Sequence, residues 1–108
     1  MDFTELLIKK EFEKIRPPEQ IRQDVDLSYT FEKNTLIINE VRPRWDDPSE
    51  ITTTPCLKAR FIISKNIWNI YWMRSDLKWH SYNPNPEVKS IIDVFKILKD
   101  DDYGCFFG

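Results

Sequence analysis

The stretch Ile67-Trp-Asn-Ile-Tyr-Trp-Met-Arg-Ser-Asp-Leu-Lys-Trp-His-Ser-Tyr82 decides the fold. Its apolar and polar residues alternate, break, and alternate again, which predicts a strand, a turn and a strand. Trp68, Ile70 and Trp72 fall on one face of the first strand, and Ile67, Asn69, Tyr71 and Met73 on the other. Arg74-Ser75-Asp76 supplies turn-forming residue types, and the chain returns through Lys78 to Tyr82. Trp79 is expected on the apolar face, and Lys78, His80 and Tyr82 on the opposite one. A hairpin with this many large rings can dominate a small core.

Upstream, the period of two continues. Leu57, Ala59, Phe61 and Ile63 alternate with Lys58, Arg60 and Ile62 in a predicted strand from Cys56 to Ser64, joined to the anchor hairpin by Lys65-Asn66. The same dipeptide, Lys33-Asn34, separates Val25–Glu32 from Thr35–Arg42, so a first hairpin is expected there. Pro43 to Pro55 is framed by prolines and too polar for a core strand, and is read as the longest loop.

Helices are expected at both ends. Asp2 and Glu5 have capping-box spacing, and Phe3, Leu6, Leu7, Phe12 and Ile15 make a stripe with Ile8 at its margin. Pro17-Pro18 stops that helix. Near the other end, Asn85 and Pro86 suit an N-cap and first helical position, and Val88, Ile91, Ile92, Phe95 and Leu98 recur at helical spacing up to about Lys99. The tail Tyr103–Gly108 is apolar for a chain end and is expected to pack on the sheet or on a partner. The predicted fold is α+β: a single domain over 1–108, with a five-stranded antiparallel meander and an N-terminal and a C-terminal helix packed on one face. Its apolar face is read as Leu27, Tyr29, Phe31, Leu36, Ile38, Leu57, Phe61, Trp68, Ile70, Trp72 and Trp79. The helices would add Leu6, Leu7, Val88, Ile91, Ile92, Phe95 and Leu98.

Composition narrows the function classes. With 41% hydrophobic and 31% charged residues the chain is expected to fold as a globular domain rather than stay disordered. A net charge of -2 gives no global attraction to polyanions, so nucleic-acid binding requires a local patch. Cys56 and Cys105 are too few and too far apart for a zinc motif. No stretch resembles a signal peptide or a membrane span, so a cytoplasmic protein with two free thiols, no cofactor and no membrane partner is expected.

Several landmarks resemble an uncharacterised bacterial family, domain of unknown function 3024. They are Glu40-Val-Arg-Pro-Arg-Trp-Asp-Asp-Pro48, Ala59-Arg-Phe61, Tyr71-Trp-Met-Arg74, Lys78-Trp-His-Ser-Tyr82 and the ending Phe106-Phe-Gly108. The resemblance runs from about Leu6 to the C-terminus. It implies no activity, cofactor or catalytic residue.

Two constellations and one lone residue are candidates for ligand contact. In the loop, Arg42 and Arg44 could fork a phosphate or carboxylate beside a stacking ring at Trp45, and Asp46, Asp47 and Glu50 could hold a divalent ion. Alternatively those residues simply build a turn, the arginines pairing with Glu40 and Glu50 and Trp45 closing the core edge. On the sheet, Lys58, Arg60, Asn69, Tyr71, Lys78, His80 and Tyr82 would form a basic–aromatic face suited to single-stranded nucleic acid, or else a plain solvated face. His80 is the chain's only imidazole, a general acid–base in an enzyme reading and a hydrogen-bonded strand residue otherwise. No Gly-rich phosphate loop, G-x-S-x-G elbow or H-E-x-x-H is present. The expected function is therefore binding, of nucleic acid or of another protein. The alternatives are a metal-assisted phosphoester hydrolase using the loop carboxylates and His80, and a homodimer subunit joined through the Tyr103–Gly108 tail.

Overall fold

The computed structural model describes residues 3–107. Helix α1 spans Phe3–Ile15, and a single 3-10 turn at Glu19–Ile21 follows the two prolines. Strands β1 (Asp26–Glu32), β2 (Thr35–Pro43), β3 (Ile51–Ile62), β4 (Ile67–Met73) and β5 (Trp79–Ser81) pair in sequence order, every neighbour antiparallel. The chain is the α+β meander with two terminal helices that the alternation predicts. A two-residue strand β6 (Glu87–Val88) then adds to the edge of β4, and α2 (Ile91–Asp100) closes the fold.

Turn chemistry fixes the first hairpin. Lys33 and Asn34 both take positive φ, 50° and 60°, as a two-residue hairpin turn of the right twist requires. That register sets Phe31 against Leu36 and Tyr29 against Ile38. From there one apolar stripe crosses the sheet: Leu36 and Ile38, then Ala59 and Leu57, then Ile70 and Trp72, with Phe61 against Trp68. Ile8 and Phe12 of α1 and Ile91, Val94, Phe95 and Leu98 of α2 bury themselves on this stripe. At about 25 cal/mol per Å² of apolar surface removed from water, such a layer is the main favourable contribution to folding.

Several expectations need correction. The loop from Pro43 to Pro55 is mostly strand: β2 and β3 pair out to Pro43 and Ile51, leaving only residues 44–50 as the turn. The β-branched Thr52, Thr53 and Thr54 suit an extended backbone whose side chains stay in water. At its other end β3 stops at Ile62, and exposed Ile63 lies in the turn before β4. The second helix starts at Ile91, not Pro86, because Ser90 caps it by accepting the Ile92 N–H at 3.1 Å. Val88 is thereby released to pair with Trp68 in β6, along a length of β4 that three-residue β5 leaves open.

The α1 stripe is also rotated. Ile8, Glu11 and Phe12 face inward, while Phe3 and Leu6 are exposed; Val94 replaces exposed Ile92 on α2 in the same way. Glu11 is tolerated inside because Lys14 reaches its carboxylate at 3.0 Å. The Asp2 half of the proposed capping box lies outside the described residues. No helix among the described residues is long and apolar enough to cross a membrane.

The α1 end is tied to the sheet by Arg16, whose Nε and Nη2 donate to the two carboxylate oxygens of Asp26 at 3.0 and 2.8 Å. Asp26 also accepts the Leu27 N–H, and its carboxyl is held below the usual range, chiefly by the Arg16 hydrogen bond. A carboxyl depressed in the folded state adds stability above its unfolded pKa of about 4, and loses that contribution as pH falls through the folded value. Urea unfolding should therefore show Asp26→Asn less stable than wild type at pH 7. The difference should shrink progressively as pH falls below the unfolded value of about 4; a gap that does not change on acidification would rule the ion pair out as its source.

Candidate functional site

With both helices on one side, the other side of the sheet is bare. Cross-strand pairing puts Ile37, Lys58, Tyr71 and Ser81 in one row and Thr35, Arg60, Asn69 and Glu87 in the next. Lys58 Nζ lies 5.2 Å from the centre of the Tyr71 ring, a cation–π contact that holds both side chains along the surface. Neither Lys58 nor Arg60 forms an ion pair among the described residues. Asp26, whose charge would oppose them from β1, is neutralised by Arg16.

The β4–β5 turn changes the rest of the expected face. Leu77 N–H donates to Arg74 O at 2.9 Å, Leu77 takes φ 62°, and Arg74 N–H donates to Lys78 O. This is a three-residue loop ending in a left-handed residue, and it sets Met73 opposite Trp79 and Trp72 opposite His80. Trp79 therefore belongs to the bare face beside Met73 and diagonal to Tyr71. His80 and Tyr82 turn to the helix side. The expected assignment of these three residues is reversed, because shifting a strand by one residue moves every side chain across the sheet.

His80 is thereby kept from the loop carboxylates. Its Nε2 lies 2.8 Å from Oδ2 of Asp76, whose other oxygen accepts the Lys78 N–H at 3.0 Å. The His80 hydrogen bond is the first cause holding the Asp76 carboxyl below its ordinary value. Asp76 thus closes the turn, and the pair is a local brace.

The 44–50 turn caps a hairpin arm. A β-bulge at Cys56, between the Ile38–Leu57 and Asn39–Pro55 pairs, marks where the arm leaves the sheet, and β4 pairs with β3 only from Leu57 onward. Arg42 donates to Glu40 at 2.7 Å, and Arg44 grips Asp46 with two bonds of 2.9 and 2.6 Å. Asp47 accepts from the Ser49 N–H and hydroxyl, which hold its carboxyl low. Arg44 N–H donates to the Glu50 carbonyl, not its side chain. Trp45 does not close the core edge; it is 95% exposed, over a cleft of about 440 Å³ floored by Thr52 and Thr54. Both arginines are thus paired, with Glu40 and Asp46, and Asp47 is held by Ser49, while the expected pairing with the Glu50 side chain does not form. Among the described residues no three His, Cys, Asp or Glu side chains are grouped to hold a metal ion.

A family model described as a domain of unknown function, DUF3024, matches residues 3–108. The chain belongs to this family. Neither the curated proteins nor the solved structures include a match. The match covers the sheet, both helices and the arm of this DUF3024 chain, so bare face and arm are parts of the family domain, not additions to it.

Sequence reasoning missed Trp79 as a surface residue of the face, whereas it placed Met73 there with Asn69 and Tyr71. The signal was Asp76, whose position two residues before Lys78 lets its side chain cap that N–H and favours the three-residue loop.

Both thiols of the DUF3024 chain are free. Burial pushes Cys56 up to about 11, and its Sγ donates to Thr54 O, whereas Cys105 lies nearer the surface. At pH 8 a disulfide exchange reagent should titrate Cys105 first, with Cys56 reacting only on unfolding. Two equally fast thiols would contradict the burial of Cys56.

Proposed function

We propose that the protein is a binding module whose bare sheet face takes single-stranded nucleic acid. The observation that carries this reading is the placement of Lys58 and Arg60 on β3, free of carboxylate ion pairs among the described residues, beside Tyr71 on β4 and with Trp79 one strand further on, on a face no helix covers. Cations serve the phosphates, and rings offer a stacking surface to unpaired bases. Tyr71 and Trp79 are diagonal neighbours on adjacent strands, a separation of about 7–8 Å by sheet geometry, so each ring can receive its own base. Duplex DNA has no unstacked base to offer and would be held by charge alone. Trp45 supports a second reading, in which the arm docks on another protein, because interface hot spots are rich in exposed tryptophan.

Fluorescence anisotropy of labelled single-stranded RNA, single-stranded DNA and duplex DNA at two salt concentrations separates these readings. Single strands should bind more tightly than duplex, with a log–log salt slope of about −1.4 for two phosphate contacts. Tyr71→Ala and Trp79→Ala should each cost about 1–3 kcal/mol, and Arg60→Ala should flatten the salt slope. Absence of binding at low salt ends the nucleic-acid reading. An effect of Trp45→Ala with none from Arg60→Ala or Tyr71→Ala would move the contact to the arm.

A further inference from the structure

Strand β1 is an edge of the sheet and pairs with β2 alone. The two-residue turn at Lys33-Asn34 makes Glu32 and Thr35 a hydrogen-bonded pair, so Thr30, Ser28 and Asp26 bond to β2 as well. The N–H and C=O groups of Leu27, Tyr29 and Phe31 therefore point away from the sheet. Asp26 Oδ1 takes the Leu27 N–H locally, at 2.7 Å. The backbone groups of Tyr29 and Phe31 have no partner on that side among the described residues.

Nothing guards this edge. Edge strands are commonly blunted by lysine, proline or a bulge, which stop another strand from adding. From Asp26 to Glu32 there is neither Lys nor Pro, and the register with β2 is unbroken. The side chains of Tyr29 and Phe31 are only partly buried, and with Glu5, Ile8 and Lys9 of α1 they line a cleft of about 200 Å³. Helix α1 is fixed along this side of the sheet, its Phe12 ring 4.7 Å from that of Tyr29 and its Arg16 on Asp26. An occupant must bring an extended backbone to the edge and apolar side chains to the cleft.

We propose that the occupant is a second copy of this chain, its β1 laid antiparallel to the first about a two-fold axis through Thr30. In that register Tyr29 of each copy faces Phe31 of the other, and every free N–H and C=O of these two residues is bonded. Ring then stands opposite ring on the helix side, a cross-strand pair that favours the sheet. Thr30 meets Thr30 and Glu32 meets Ser28, while Asp26 is already held by Arg16, so no like charges are opposed. A foreign strand would have to supply this spacing of rings and uncharged residues; β1 supplies it to itself. The axis stands perpendicular to the sheet, so the two sheets join into one with both bare faces on the same side.

Sedimentation velocity of the full chain without nucleic acid, over about a hundredfold range of concentration, tests the pairing. The contact is small, so a concentration-dependent dimer is expected rather than a permanent one. Thr30 is exposed, and Thr30→Lys puts two ammonium groups opposite each other across the axis. It should weaken the dimer about tenfold or more and leave the melting curve near that of wild type. Should that variant unfold, Thr30→Cys decides. In a Cys105→Ser background it should form an intermolecular disulfide on mild oxidation, because opposed Cα atoms of a non-hydrogen-bonded pair lie about 4.5 Å apart. Glu32→Cys, on the same face but opposite Ser28, should not. A chain that stays monomeric throughout, a dimer unchanged by Thr30→Lys, or crosslinking no faster at position 30 than at position 32 overturns the proposal. The nucleic-acid reading rests on Lys58, Arg60, Tyr71 and Trp79, none of them on β1, so the two fail separately.

Discussion

The apolar stripe from Leu36 and Ile38 through Leu57 and Ala59 to Ile70 has to be taken out of water, and two short helices are what the chain has to cover it. Both therefore lie on the same side, packed against one another and against the stripe. Leu57 is fully buried at the centre of this contact, between Ile38 on β2 and Trp72 on β4. The bare face of the sheet is the direct consequence, since among the described residues no other helix lies against it. Its polar and aromatic side chains, led by Lys58, Arg60 and Tyr71, are what an antiparallel sheet with one wet side requires.

Beyond the helices the β2–β3 hairpin runs on without a core beneath it. It is stabilised locally, through ladder pairing, the Arg42–Glu40 and Arg44–Asp46 pairs, and the Asp47–Ser49 turn. Exposed ion pairs of this kind contribute little to stability each, so they serve mainly to set the shape of the arm. The Cys56 bulge lets β3 leave the sheet while keeping Leu57 in register with Trp72. The arm thereby holds Trp45 away from the core, almost fully in solvent.

The tail closes the molecule by a different device. Asp101 takes the left-handed cap position of α2, and its side chain then captures two N–H groups of the following segment. Phe106 is buried on Tyr82 as a result, while Tyr103 and Phe107 stay exposed. The apolar character of the chain end thus has an intramolecular use for one of its two phenylalanines.

The meander and its helices were legible because periods of two and of three to four residues report which side chains must be buried together. The same rule placed Lys58, Arg60, Asn69 and Tyr71 on one face, since those residues lie on strands whose alternation is unbroken. It failed for Trp79, His80 and Tyr82, where the side depends on whether a turn contains an even or odd number of residues. That number is set by the Asp76 side chain and the left-handed Leu77, not by hydrophobicity. Sequence alone determined the elements, their antiparallel order and the apolar stripe, because these follow from local periodicity. The rotation of α1 about its axis, the extension of β3 into the arm, the start of α2 at Ser90 and the burial of Tyr82 were decided only in the tertiary structure. Each depends on partners distant in the chain, competing for the same buried surface and the same strand edge.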